Sequence, residues 1–469
     1  MARESGLTGF IYGVTGYNIM KSNLRHPPTP EGHPFIGHTI DFAQGPFDFV
    51  DRAIEECGDV YRMKLPGSQV FALAHPDYFK QALVTEIDAF GKTDDFQTAF
   101  ADGVLAAEGD QWRRQRGVLQ SFFTRRQVAE YSDSMVATTQ RRLDTWRHRE
   151  IRDMETEMQN LTLEVLFATL FGRELQPGEG DDLRTAADGL NSWFAPTSWL
   201  LPNWVPTLSR RDFKHSKERL RTEIRELLAE QAPSDNIDTH HSETLLSKLK
   251  EAREATDGNQ LSQKEVEGVM ITMIFAGYET TASALAFAWY SLATHPEIQD
   301  AFHEELDSVL DGDAPTHADI ENLTLTRRIV KETMRLYPSV HTIPRQTTRA
   351  VEVNGYELPA DEEVHLSIFA VHRDERFYDD PESFRPDRWE ADLEDQLPEY
   401  AYMPFGGGRR TCIGRDFALL EATLVLATIG QGWVFEWKGE DDSMSIEPEL
   451  TLQTQDGLPM WMKERENSK

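Results

Sequence analysis

The sequence predicts a mainly α fold with a smaller β-rich part, arranged around one buried central helix. Three observations carry this. Ser262 to about Thr294 keeps helical spacing and stays apolar nearly all round, a pattern that belongs to a helix running through the middle of a soluble molecule. Val60 to Leu73 reads as a hairpin turning at Pro66-Gly67. Across 469 residues there is no internal repeat and no linker with the composition of a domain boundary, so residues 26–469 are expected to form a single domain behind a lead segment, 1–25.

In chain order, His26 to His38 is rich in Pro and Gly and reads as an extended lead-in. Phe47 to Glu56 and Leu161 to Phe171 are amphipathic helices. Ala232 to Asn259 is polar, an exposed connection with one short helix at Leu245 to Leu249. The central helix opens on Ser262 and Glu265, the spacing of a capping box, and stops at His295-Pro296. Roughly 33 residues give it a length of about 50 Å. Its apolar surface is interrupted at Ala276-Gly-Tyr-Glu-Thr-Thr281, and a polar interruption in a buried helix needs a reason.

Composition excludes several classes. Eighty Asp and Glu against 48 Lys and Arg give a net charge of −32, which repels nucleic acid and anionic membrane surfaces. Only 13 of the basic residues are lysine, and excess carboxylate with scarce lysine points to a halophilic protein, working where salt screens self-repulsion. Two cysteines, Cys57 and Cys412, support neither a disulfide framework nor a multi-cysteine zinc or iron–sulfur site. The first residues hold neither an apolar run long enough to span a bilayer nor a signal-peptide core, so a cytoplasmic protein without a transmembrane anchor is expected.

The strongest local signal is Phe405-Gly-Gly-Gly-Arg-Arg-Thr-Cys-Ile-Gly414, followed by the apolar run Phe417 to Leu426. Three glycines, one cysteine and a helix start describe a tight loop that presents a thiolate to the helix dipole, with Arg409 and Arg410 expected to lower its pKa further. Such a sulfur suits a metal ligand or a nucleophile. The plainer alternatives are a buried structural cysteine and a phosphate loop, and no Lys-Ser/Thr completes the latter.

This loop resembles the haem-ligand loop of the cytochrome P-450 family, with Phe405, Gly408, Arg410, Cys412 and Gly414 at its fixed positions. Further motifs follow in the family's order. Lys331-Glu-Thr-Met-Arg-Leu-Tyr-Pro338 resembles the family's Glu-x-x-Arg helix, and Phe384-Arg-Pro-Asp-Arg-Trp389 its meander, so Glu332, Arg335 and Arg388 are expected to form a buried charge cluster. Trp112, Arg116 and Arg345 match residues that hold haem propionates, as does Arg410. Ala276 to Thr281 is similar to the motif over the distal haem face. There Gly277 would permit close approach, Thr280 would bond back one turn, and Glu279 with Thr280 would form the acid–alcohol pair that delivers protons. The resemblance covers roughly Thr29 to Met462, with one departure, Arg373-Asp-Glu, where a proline commonly follows the Asp.

It implies a cytochrome P-450 fold, haem b with Cys412 as its iron ligand, and a monooxygenase that hydroxylates or epoxidises an apolar lipid, carotenoid or terpenoid-like substrate with O2. Carried over by position, the substrate would meet Phe90 to Leu105, Phe275, Tyr278, Val340 to Ile343 and the turn near Leu452, beneath a tryptophan-rich lid at Ser192 to Pro206. No Gly-x-Gly-x-x-Gly follows a strand, so electrons would come from a separate protein, expected to be a ferredoxin with its reductase. Arg113, Arg114, Arg125, Arg126, Arg409 and Arg415 would form its docking patch. The alternatives are a haem-thiolate peroxygenase or isomerase and a haem gas-binding sensor.

Overall fold

The computed structural model describes residues 25–100, 102–194, 207–229, 244–255, 260–439 and 443–465. The chain opens without a helix until Thr39, as its prolines and glycines require, and then forms α1 (Pro46–Cys57). The predicted hairpin is β1 (Val60–Leu65) and β2 (Ser68–Leu73), paired antiparallel from Val60↔Leu73 to Leu65↔Ser68 with Pro66-Gly67 at the turn. Next come β3 (Phe90–Gly91), α2 (Gly109–Gln120) and α3 (Ser132–Leu143).

Strand β4 (Glu150–Asp153) leads into α4 (Met154–Leu166). This helix begins a full two turns before the apolar run that predicts it. Asp153 caps it by accepting from the N–H groups of Glu155 and Thr156, and its continuation, Phe167–Phe171, is a π-helical turn. After α5 (Asp181–Asp188) and α6 (Leu208–Ala229) comes α7 (Leu245–Glu254). It is the short helix expected in the polar connection, with Leu245 and Leu249 buried.

The central helix is α8 (Gln263–Thr294). Ser262 Oγ accepts from the Glu265 N–H at 3.2 Å and Glu265 Oε2 accepts from the Ser262 N–H at 2.8 Å, the capping box read from the sequence. Among the described residues it is the one helix long and apolar enough to cross a membrane, and 83% of its most apolar window is buried inside the protein. Trp289 is fully buried against Phe435, with ring centroids 4.5 Å apart. Burial of such a side chain is worth about 1.5–3 kcal/mol, enough for α8 to organise the core.

The rest of the chain supplies α9 (Pro296–Leu310), α10 (Thr324–Leu336), β5 (Thr342–Thr347), β6 (Glu363–Ser367), α11 (Arg415–Gly432), β7 (Trp433–Trp437), β8 (Ile446–Pro448), β9 (Leu452–Thr454) and β10 (Pro459–Glu464). Among the described residues the largest sheet has the order β1-β2-β6-β5-β3, in which β2 and β6 run parallel. A three-stranded sheet, β4-β10-β7, the β8-β9 hairpin and a short antiparallel pair, Val351–Val353 with Tyr356–Leu358, make up the rest of the β-rich part among the described residues. The expected mainly α fold with a smaller β part is what the chain forms.

Candidate active site

The cysteine loop lies between the meander and α11. Gly408 sits at φ +61° in a 3-10 turn, and a Cβ there would fall 2.2 Å from the Leu83 carbonyl oxygen, so only glycine fits. The Cys412 N–H donates to the Phe405 carbonyl at 2.9 Å, closing the loop, and Gly414 is the N-cap of α11. Cys412 is exposed as a residue, but protein surrounds its thiol. Burial therefore pushes its thiol upward, opposed by a hydrogen bond from the Gly414 N–H and by the Arg116 charge.

Two expectations change here. The net shift of the thiol is upward, because desolvation outweighs the loop's dipoles. The cation acting on the sulfur is Arg116, on α2, and not Arg409 or Arg410. Arg409 is bound to Asp88 at 2.7 Å, and Arg410 donates to the Ala107 carbonyl at 2.8 Å with its guanidinium 4.5 Å from the Trp112 ring centroid.

Arg116, Arg345 and Arg410 are brought together as the motifs predict, with Trp112 between Arg116 and Arg410. Arg116 donates to the Thr411 carbonyl at 3.0 Å, and Arg345, on β5, donates to the Pro344 carbonyl at 2.8 Å. Burial pushes all three downward, and Arg410 acts on Arg345 as Arg409 and Arg116 act on Arg410. Lys92, just after β3, joins this cluster. Burial and repulsion by Arg345 and Arg410 press its pKa well down, and Glu108 is the acid that offsets the group. Sequence reading passed over Lys92 because an isolated lysine carries no motif. Four cations against one carboxylate make a desolvated, net-positive cradle, which matches a dianionic ligand. With a cysteine sulfur presented to the same interior region, the donor set fits a haem.

On α8, Ala276, Gly277 and Thr280 are half-exposed in the middle of an otherwise buried stretch. Ala276 and Thr280 stand one turn apart and share a face. Thr280 Oγ1 donates to the Ala276 carbonyl at 2.8 Å, as expected, and the Thr280 carbonyl accepts from Ser339 Oγ at 2.8 Å. Gly277, expected to permit close approach over the haem, also faces a neighbouring helix. A Cβ there would meet Leu166 Cδ1 at 2.8 Å, so the glycine lets α4 pack against α8.

Glu279 is buried at 2% exposure. Its Oε1 accepts from Asn191 Nδ2 at 2.5 Å, Thr451 Oγ1 at 2.7 Å and Gln453 Nε2 at 2.7 Å. Desolvation raises its pKa to about 8 against the pull of these donors. Glu279 and Thr280 are thus adjacent on the helix, but each bonds to other partners.

The Glu332 cluster forms as predicted. Glu332 and Arg335 are fully buried and joined by two bonds of 2.9 Å. Arg388 Nε and Trp389 Nε1 donate to the same carboxylate at 2.8 and 2.9 Å. Arg335 also holds the His372 and Pro381 carbonyls at 2.8 and 2.7 Å.

Of the expected substrate contacts, Phe96, Val104, Leu105 and Val340 to Ile343 are partly exposed. Tyr278 and Leu452 instead belong to the core. Tyr278 is fully buried with its hydroxyl on Asp188, and Leu452 packs beside Phe287 and Phe369. Phe275 is buried 5.4 Å from the Phe100 ring. Within the expected lid, residues 195–206 lie outside the described residues. Trp193 and Phe194 are buried, and Trp193 donates to Asp95 Oδ1 at 3.1 Å. The basic patch is largely neutralised in pairs, Arg113 with Asp110, Arg114 with Glu265, Arg125 with Asp416, Arg126 with Glu130 and Arg409 with Asp88. Arg415 is exposed.

Comparison with known proteins agrees with this site. The family profile "Cytochrome P450" matches residues 27–459. The chain is 32% identical to cyclooctatin synthase of Streptomyces melanosporofaciens, over 87% of this chain and 90% of that protein. It is 30% identical to cyclooctat-9-en-7-ol 5-monooxygenase of the same organism, over 86% and 88% of the two chains. Pentalenene oxygenase of Streptomyces avermitilis is also 30% identical, over 86% and 90%. A cysteine loop at the foot of α11, a cationic cradle beside it and an acid–alcohol sequence on the central helix thus meet in a chain that belongs to the cytochrome P450 family and is a haem-thiolate monooxygenase, an oxidoreductase that incorporates oxygen from O2 into an organic substrate.

Proposed function

We propose that the enzyme hydroxylates or epoxidises an apolar, terpenoid-like molecule, with haem b as cofactor. Cys412 would hold the iron, and Lys92, Arg116, Arg345 and Arg410 would pair with the two propionates. When bound, the haem supplies the one-electron and dioxygen chemistry, with electron donation from the thiolate. The chain's own residues do the rest. Ala276 and Thr280 present a small, half-exposed face in the middle of α8, which leaves room for O2 and substrate. The partly exposed Phe96, Val104, Leu105, Val340 and Ile343 offer apolar contact, which favours a hydrocarbon skeleton over a charged substrate. The printed names of the relatives, cyclooctat-9-en-7-ol and pentalenene among them, support a substrate of this class.

The observation that carries the reading is Glu279. Raised to about 8, its carboxyl keeps a proton at neutral pH, which a proton-delivering acid must do. That need argues against a peroxygenase or a gas sensor. A ferredoxin fits as electron donor, with Arg415 the open charge of a face whose other arginines are paired. The acidic composition supports a cytoplasm rich in salt.

The test is the absorption spectrum of the reduced, carbon monoxide-bound protein in high salt, followed by turnover. A red-shifted Soret band is expected in the natural protein and lost in Cys412→Ala. With an apolar terpene as substrate, Glu279→Gln and Thr280→Ala are expected to consume reductant while forming roughly a hundredth of the product, the scale of general-acid catalysis. An unshifted band in folded protein, or full product yield in Glu279→Gln, overturns the reading.

A further inference from the structure

Glu279 is held by residues that no sequence motif contains. Asn191 lies in the 3-10 turn after α5, while Thr451 and Gln453 lie at the start of β9. All three donate to one oxygen, Oε1, and Oε2 is buried without a hydrogen-bond partner among the described residues. The turn that carries two of the donors is itself locked onto α8. The Leu452 N–H donates to the Ser339 carbonyl at 2.8 Å, the Leu452 carbonyl accepts from Ser283 Oγ at 2.8 Å, and Ser339 Oγ reaches the Thr280 carbonyl.

In a neutral carboxyl the carbonyl oxygen accepts hydrogen bonds and the hydroxyl oxygen donates one. The amide groups of Asn191 and Gln453 can only donate to Oε1, so Oε1 serves as the carbonyl oxygen, and the Thr451 hydroxyl, which can donate or accept, turns its hydrogen toward it. We propose that Asn191, Thr451 and Gln453 are positioning residues that fix which oxygen of Glu279 bears the acid proton: they occupy Oε1, place the proton on Oε2, and hold the carboxylate once the proton has left. This rests on the reading of Glu279 as the proton-delivering acid. When Glu279 acts, its Oε2–H bond breaks and the electron pair stays on the carboxylate. With haem bound, O2 would take two electrons from the redox partner and two protons, one from Glu279 and one from solvent, so that one oxygen atom leaves as water and the other enters the substrate, and a further solvent proton would restore the Oε2–H.

The surroundings favour this use of neutral donors. The charged and titratable groups around Glu279 are Asp188 and Arg184 on α5, Tyr278 on α8 itself, Glu155 on α4 and Glu449 in the β8–β9 turn. Arg184 is spent on Asp188 at 2.9 Å, and the Tyr278 hydroxyl bonds to the same carboxyl. Burial raises the Asp188 carboxyl, and it brings Glu155 and Glu449 to about 7. Among the described residues no cation neutralises the carboxylate that forms when Glu279 gives up its proton, so the three dipoles on Oε1 limit its cost.

The test is infrared difference spectroscopy of the haem-loaded protein, titrated from neutral to alkaline pH. The protonated-carboxyl band that Glu279→Gln removes is assigned to Glu279. Thr451→Val is expected to raise that band's frequency and move its titration midpoint up by roughly one pH unit, and Gln453→Leu to do the same. Thr451→Ser restores the hydroxyl and is expected to return both to the natural values. The proposal is overturned if the valine variant leaves the band unmoved, if serine and valine shift it equally, or if Glu279→Gln removes no band. Product yield is a separate readout. A shifted band with full yield in Glu279→Gln would keep the positioning of the proton and sink the role of Glu279 as donor.

Discussion

Two arginine clusters, whose nearest members, Arg335 and Arg345, lie ten residues apart in the chain, are built on opposite principles. Around Glu332 every charge is answered within the chain: two guanidiniums, one indole N–H and the Arg385 N–H converge on one carboxylate, and Arg335 spends its remaining N–H groups on carbonyls. Around Arg345, Lys92, Arg345 and Arg410 share the offset of Glu108, and repulsion runs among them and from Arg116 to Arg410. The first cluster is complete as a piece of protein. The second is stable only to the extent that something dianionic sits among its donors. Burial of charge thus marks a fold element in one place and a ligand site in the other, and the local balance of charge tells them apart.

That contrast can be broken from either side. The largest effect is expected from Glu332→Gln, which leaves Arg335 and Arg388 buried without a counter-charge. A loss of about 3–5 kcal/mol should show as a large fall in melting temperature and in the yield of folded protein, with or without haem. Arg345→Leu should behave oppositely in the two forms. Without haem, removal of a repelling cation should leave the melting temperature unchanged or higher. With haem, transfer of the cofactor to apomyoglobin should speed up by about tenfold.

A third expectation concerns pH. Glu279 is raised from 4.5 to about 8, and Glu155 and Glu449 to about 7. Between their ordinary values and these, the folded state binds more protons than the unfolded chain, so stability should fall as pH rises through that window and level off above it. Each group contributes at most about 1.4 kcal/mol per pH unit, and Glu279→Gln should flatten the upper end of the curve in a urea titration series. The smallest effect is expected from Arg415→Glu. Reduction by an acidic ferredoxin should slow a few-fold at low salt and recover at high salt, where the charge is screened.

Features set by neighbours in sequence were legible in advance. The capping box at Ser262 and Glu265, the Pro66-Gly67 turn and the loop that ends in Cys412 all obey local rules of backbone geometry, and the structure forms each of them. The i,i+3 pairing of Glu332 with Arg335 belongs to the same class. Features set by chain-distant neighbours were not legible. Nothing local to Lys92 says that Arg345 and Arg410 will stand beside it, and nothing local to Thr451 or Gln453 points to Glu279, more than 170 residues away. Gly277 shows the limit from the other side. Its motif is unmistakable, but the contact that a side chain there would make with Leu166 on α4 is a fact of packing.

The cradle is fastened by a reciprocal pair of bonds, Arg116 to the Thr411 carbonyl and Arg410 to the Ala107 carbonyl, which join positions 295 and 303 residues apart. Closing so long a loop is thermodynamically mild, because its entropy cost grows with the logarithm of length, about 0.6 kcal/mol per doubling. In time it is decisive. At a ribosome adding about 5–20 residues per second, α2 waits on the order of fifteen seconds to a minute for the cysteine loop to emerge. The cofactor site is therefore among the last parts of the molecule to exist, and haem capture comes after synthesis of nearly the whole chain rather than guiding it.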